Sequence, residues 1–201
     1  MNAQTAAATT TSAPMPPLRR STRQARAASR IVLTGFMGSG KSTVGPLLAG
    51  ELGWTFIDLD AEIERRTGLT VPQIFSEQGE AAFRKEETAA LAAVLGRTRT
   101  VIALGGGAPE TLGNRLLLEQ TPATAIVYLA APFATLAGRC AEQSANVRPN
   151  FADPVAAEAR FASRHPIYSR LAHVSIETEG LTPEDSAAAV LASVAVKTSA
   201  A

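Results

Sequence analysis

Apolar positions along this chain follow two alternating rhythms. Ile31-Val32-Leu33-Thr34, Thr55-Phe56-Ile57, Thr100-Val101-Ile102-Ala103-Leu104, Ala125-Ile126-Val127-Tyr128-Leu129 and Val174-Ser175-Ile176 are short runs of apolar, mostly β-branched residues. They predict five strands buried on both faces. Between them the spacing becomes helical. Val44, Leu47, Leu48 and Leu52 share one helix, with Gly53 as its stop and Pro46 predicting a distortion near its second turn. Ile63, Val71, Ile74 and Phe75 suggest short helices, and Ala81 to Leu95 runs on without Gly or Pro. Pro109, Pro132 and Pro183 each open a further helix, and another is predicted from about Val155 to Ser163. Strands alternating with helices predict an α/β fold, a three-layer α/β/α sandwich around a central five-stranded parallel sheet.

The ends and one internal stretch break this rhythm. Residues 1–29 are Ala, Thr, Ser, Pro and Arg with almost no large apolar side chains. Such a segment cannot bury enough surface to offset its ordering entropy, so it reads as a disordered tail. Its arginines and lack of acids also suit an organelle transit peptide, here the alternative reading. Residues 30–197 form one predicted domain, and 198–201 a frayed end. Residues 142–157 are polar and carry Asn146, Arg148, Pro149, Asn150 and Pro154, which suits a mobile lid.

Composition narrows the setting. The formal net charge is +1, but the first 30 residues hold five arginines and no acid, leaving a net −4 on the rest. A mildly acidic body argues against nucleic acid as the main partner. No apolar run reaches transmembrane length. Cys140 is the sole cysteine, which excludes an internal disulfide and points to a reducing, cytoplasmic setting. We expect a monomer acting on small molecules.

The chemistry starts at Gly35-Phe36-Met37-Gly38-Ser39-Gly40-Lys41-Ser42, a complete phosphate-binding loop between the first strand and the first helix. Glycines let successive backbone N–H groups line one concavity, and the helix N-terminus adds its positive dipole end. Gly38, Ser39, Gly40, Lys41, Ser42 and Thr43 are the expected nucleotide-binding residues. Lys41 serves the β- and γ-phosphates of ATP, and the Ser42 hydroxyl serves Mg²⁺. Many such enzymes place an Asp after the third strand to help hold magnesium. Here Gly105-Gly106-Gly107 stands there, so Asp58, at the end of the second strand, is the candidate metal carboxylate. Strand alternation predicts Asp58 and Asp60 on one side and Leu59 on the other; the alternative is that both aspartates cap the next helix.

Six motifs in this order resemble the shikimate kinase family: Gly35 to Ser42, Asp58-Leu59-Asp60, the Gly79 to Glu87 segment, Gly105-Gly106-Gly107, Arg148-Pro149, and Arg164-His165-Pro166-Ile167-Tyr168. The likeness covers roughly residues 31–177. It implies a mononucleotide-kinase-like fold and transfer of the γ-phosphate of ATP to the 3-hydroxyl of shikimate. By resemblance Arg84 and Arg164 hold the shikimate carboxylate, a task suited to guanidinium forks. Asp60 accepts hydrogen bonds from the ring hydroxyls and is the general base. Asp58 serves Mg²⁺, and Gly105, Gly106 and Gly107 bring backbone against the substrate. Arg148 supplies positive charge from the lid, Arg139 lies along the adenine, and Glu87 orients Arg84. The lid departs from the family's Arg-Pro-Leu-Leu, reading Arg148-Pro149-Asn150-Phe151. His165 and His173 read as packing or surface residues. Two further readings stay open: another small-metabolite kinase such as a gluconate kinase, and a nucleotide-dependent regulatory module that has lost catalysis.

Overall fold

A computed structural model of the chain describes residues 27–142 and 153–196. In chain order the elements are β1 (Arg30–Thr34), α1 (Lys41–Leu52), β2 (Thr55–Asp58), α2 (Leu59–Thr67), α3 (Val71–Leu95), β3 (Thr100–Ala103), a 3-10 turn (Ala108–Glu110), α4 (Leu112–Gln120), β4 (Thr124–Ala130), α5 (Phe133–Glu142), α6 (Pro154–Leu171), β5 (Val174–Glu177) and α7 (Pro183–Ser193). The five strands form one parallel sheet in the order β2-β3-β1-β4-β5. β1 is therefore central, and its C-terminal end opens into the crevice where such sheets hold ligands.

Side-chain alternation builds the three layers. In β1, Ile31 and Leu33 face a cluster with Val44 and Leu48 of α1 and Val190 of α7. Val32 faces the other way, onto Leu59 and Ile63 of α2, Leu91 of α3 and Leu118 of α4. β3 repeats this split with Val101 and Ile102, and β4 with Val127 and Ile126. Both faces of these three strands are covered, so the middle of each run is apolar. Gly45 lets α1 lie close on the sheet, since a Cβ there would fall 2.2 Å from the Phe56 ring.

Several local expectations change. Residues 27–29 are not part of a tail: Ala28 is buried and pairs with Val196, its N–H donating to the Ala195 carbonyl at 2.7 Å. Arg30, counted with the basic segment, is also buried, at the N-terminal edge of the sheet. α1 runs through Pro46 to Leu52 as one helix. The region 71–95 is one helix in outline, but Gly79 breaks it with φ 82° and ψ 171°, a conformation that only glycine adopts without strain. Pro109 opens a 3-10 turn rather than an α-helix.

The largest correction concerns the stretch after the predicted lid. Residues 143–152, including Arg148, Asn150 and Phe151, lie outside the described residues. The remainder of the predicted lid belongs to helix, with Asp153 capping α6 through hydrogen bonds from Val155 N and Ala156 N. α6 does not stop at Ser163 but continues through Pro166 to Leu171. A proline inside a helix costs about 3 kcal/mol. Burying Tyr168 and Leu171 returns about 1.5–3 kcal/mol each, so the helix persists.

Candidate active site

The sheet's C-terminal edge and the helices around it enclose a cavity of about 450 Å³. Met37, Lys41 and Ser42 line one part, Asp58 and Asp60 the floor, and Arg84, Gly105, Gly106, Gly107, Arg160 and Arg164 the remainder. Val71, Phe75 and Phe83 give it an apolar side.

The phosphate loop is anchored from below. Gly38 has φ 78°, and a Cβ there would lie 2.6 Å from the Leu136 carbonyl and 2.8 Å from Cys140 Sγ. The loop thus sits against α5, with the buried Cys140 as packing. Lys41 Nζ donates to the carbonyls of Gly35 (2.8 Å) and Phe36 (3.0 Å) and reaches Ser39 Oγ at 3.3 Å. Gly40 starts α1, its carbonyl accepting from Thr43 N and Val44 N.

Asp58 takes the capping role and also meets Ser42. Its Oδ1 accepts from Asp60 N and Ala61 N and so caps α2, while Oδ2 accepts from the Ser42 hydroxyl at 3.1 Å. Strand alternation was the wrong reason for pairing the aspartates. β2 ends at Asp58 and Asp60 sits in the first turn of α2, yet both carboxylates line the same cavity. Asp60 does not cap. Its Oδ1 is buried without a hydrogen-bond partner, and a Cβ on Gly105 would lie 2.7 Å from it. Burial, then the neighbouring Asp58 charge, push its carboxyl above the ordinary aspartate range, with Lys41 opposing.

The arginines belong to a charged web. Arg84 Nη1 donates to Glu87 at 2.9 Å and Nη2 to Glu80 at 3.2 Å. Glu87 is only 1% exposed, and burial raises its carboxyl against the opposing pull of Arg84. The expected orienting contact between Glu87 and Arg84 is present. Arg164 Nη2 donates to Glu110 at 2.7 Å, and the same carboxylate oxygen lies 3.8 Å from Arg84 Nη2. Gly107 admits the Arg84 head, since a Cβ there would lie 2.6 Å from Nη2. The Tyr168 hydroxyl donates to the Gly106 carbonyl at 2.6 Å and ties the glycine loop to α6.

Not every predicted residue reaches this cavity. Arg139 does not line it; its guanidinium donates to the hydroxyl and carbonyl of Thr178. Arg148 lies outside the described residues. His165 Nδ1 pairs with the Tyr128 hydroxyl at 2.8 Å and His173 Nδ1 accepts from Ile126 N, packing roles in both cases. Sequence reasoning missed Glu110, Glu80 and Arg160. Glu80 lies four residues before Arg84 on one helix and could have been found by that spacing. Glu110 and Arg160 carry no such local signal.

The chain as a whole is similar to known proteins. The sequence profile of the family described as shikimate kinase matches residues 37–195. A shikimate kinase of Halorhodospira halophila is 44% identical over 156 residues, 77% of this chain and 87% of that protein. One from Chlorobium chlorochromatii is 52% identical over a shorter stretch, 58% of this chain and 60% of its own length. The structure of Acinetobacter baumannii shikimate kinase in complex with shikimate superposes with a TM-score of 0.75 at 38% identity, covering 82% of this chain and 91% of that one. A gluconokinase of Sinorhizobium meliloti, at 21% identity and TM-score 0.52 over 85% of this chain and 95% of its own, shares the fold alone. By profile, sequence and structure, this chain belongs to the shikimate kinase family.

Proposed function

We infer that this chain is an ATP-dependent shikimate kinase, transferring the γ-phosphate of ATP to the 3-hydroxyl of shikimate. One observation carries the reading: a single cavity turns a phosphate loop, a buried carboxylate and two guanidiniums toward one another. The loop binds the triphosphate through its backbone N–H groups and Lys41. Arg84 and Arg164 take the substrate carboxylate, and Gly105, Gly106 and Gly107 allow the ring to approach the backbone. Asp60 accepts the proton of the attacking hydroxyl; its raised carboxyl makes it a better base than an exposed aspartate. Phosphoryl transfer otherwise asks for alignment and charge neutralisation, which the fixed loop and arginines provide.

Ser42 Oγ and Asp58 Oδ2 are oxygen donors 3.1 Å apart at the start of α1, and this donor pair fits Mg²⁺. Ser42 and Asp58 would hold that ion beside the bound phosphates. When bound, it neutralises charge on the transferring phosphate. By family resemblance Arg148 adds positive charge there and Arg139 serves the adenine, which requires its Thr178 bonds to yield or the ring to pass beside them. On this reading the chain acts as one domain and as a monomer in the cytoplasm. No described helix is long and apolar enough to cross a membrane.

The test is coupled ADP release with shikimate, quinate, gluconate and nucleoside monophosphates as acceptors. We expect shikimate to be strongly preferred. Preference for gluconate or a nucleotide, or no ADP with any acceptor at micromolar enzyme, overturns the assignment.

A further inference from the structure

The carboxylate of Glu110 stands between the two guanidiniums assigned to the substrate acid. Its Oε2 lies 2.7 Å from Arg164 Nη2 and 3.8 Å from Arg84 Nη2. The backbone beneath it is pinned: Glu110 N donates to the Gly107 carbonyl, and Arg115 Nη1 donates to the carbonyls of Pro109 and Glu110. The side chain is not. It is 38% exposed, and its carboxylate bonds are to these arginines.

Charge makes the position unstable toward an incoming acid. Arg84 and Arg164 bring two positive charges, and Glu80, Glu87 and Glu110 bring three negative ones. A further carboxylate entering beside these three is repelled by them, even with Arg160 and Lys41 in the same cavity, and the repulsion falls when one of the three leaves. Glu87 is buried and fixed on α3, and Glu80, at 68% exposure, pairs with Arg84 alone among the described residues. Glu110 alone of the three touches both guanidiniums, and its side chain has solvent to swing into.

We propose that Glu110 is a built-in competitor for the acceptor's carboxylate, occupying the seat between Arg84 and Arg164 until the substrate acid displaces it. This rests on the assignment of those arginines under the proposed function. Glu110 thereby lowers the affinity for the acid by the fraction of time that it holds the seat. It also keeps the two arginines neutralised and aligned when no acid is present. An acceptor with a neutral group at that position has no charge to exchange for Glu110 and gains nothing from its removal. Glu110 is then a specificity device as well as a brake.

Calorimetric titration of shikimate and of its methyl ester into the whole chain and its Glu110→Gln variant tests this, with ATP affinity as the control for an intact fold. Glu110→Gln should bind shikimate about two- to fivefold more tightly, the range expected for losing one partly exposed ion-pair competitor. The ester's affinity should not move, Glu110→Asp should stay near the original chain, and Glu110→Ala should follow Glu110→Gln. Unchanged or weaker shikimate binding in both neutral variants overturns the proposal, as does an equal gain for acid and ester. If the unaltered chain neither binds shikimate nor phosphorylates it, the functional assignment itself fails, an outcome distinct from the other two.

Discussion

The surroundings of Asp60 oppose its charged form. One carboxylate oxygen is buried with no partner, and burial and Asp58 both raise its proton affinity. A carboxyl whose folded pKa lies above its unfolded value favours the fold in its protonated form. That contribution is complete below the unfolded pKa and is lost as pH rises through the folded one. Ionising Asp60 therefore works against folding. Asp60→Asn should lower turnover by about 10²–10⁴ and remove the acid limb of the pH–rate profile, while the melting temperature at pH 7 stays equal or rises. Near-normal turnover would remove Asp60 as the base. Glu87 has the same raised carboxyl but a partner in Arg84. Arg84→Ala should weaken shikimate binding about 10- to 100-fold, the value of charge-assisted bonds to a carboxylate, with ATP binding nearly intact. It should also destabilise the fold by about 3–5 kcal/mol, because Glu87 is left buried and alone. That loss should shrink as the pH falls and Glu87 takes up a proton. Arg84→Ala combined with Glu87→Gln should restore stability but not binding, and recovery of binding would contradict the role given to Arg84.

At the scale of elements, the helix that carries Arg164 also holds the glycine loop. α6 passes through Pro166 and delivers a fully buried Tyr168, whose hydroxyl bonds to the Gly106 carbonyl. Tyr168→Phe keeps the ring's packing and deletes that bond. It should cost about 1 kcal/mol in unfolding free energy and raise the KM for shikimate with little change in that for ATP; an equal change in both would show that the bond supports the whole site. This helix also marks where sequence reasoning failed. Helices bounded by a local signal were read within a few residues, as with Gly53 after α1 and Pro183 at the start of α7. α6 was cut short because Pro166 is a local stop signal, overridden by the burial of Tyr168 and Leu171, which only the assembled fold reveals. Gly79 is the converse case. The separate readings of the Val71 to Phe75 stretch and of Ala81 to Leu95 left a break between them, and Gly79, with its positive φ, turns α3 there, between Phe75, which lines the cavity, and Arg84.

For the whole molecule, legibility divides along the strands' axis. The C-terminal edge carries contiguous motifs, so the phosphate loop, the aspartates and the glycine loop could be read before any fold was known. Groups joined only across the fold could not. Glu110 meets Arg164 across 54 residues, and Arg30 reaches its partners across 67 to 94. Arg30 had been counted only as one of the five arginines in the first 30 residues. It is 5% exposed, and it donates through Nε to the Arg97 carbonyl (3.0 Å) and through Nη1 to the Pro122 carbonyl (2.8 Å) and Thr124 Oγ1 (3.0 Å). These bonds tie the start of β1 to the segments leading into β3 and β4, at the end of the sheet opposite the cavity. Burial lowers its affinity for a proton, yet guanidinium remains charged at any physiological pH. Arg30→Met keeps much of the side chain's length and removes all three bonds, leaving its acceptors without that donor. Unfolding free energy should fall by about 2–4 kcal/mol, which for a chain of this size lowers the melting temperature by about 5–15 °C. The catalytic edge lies at the far end of the strands, so KM for ATP and for shikimate at 25 °C should be unchanged in the folded protein. A rise in either KM without loss of stability would mean that the two ends of the sheet are coupled, and that the positions of Lys41 and Asp60 depend on how the opposite edge is tied.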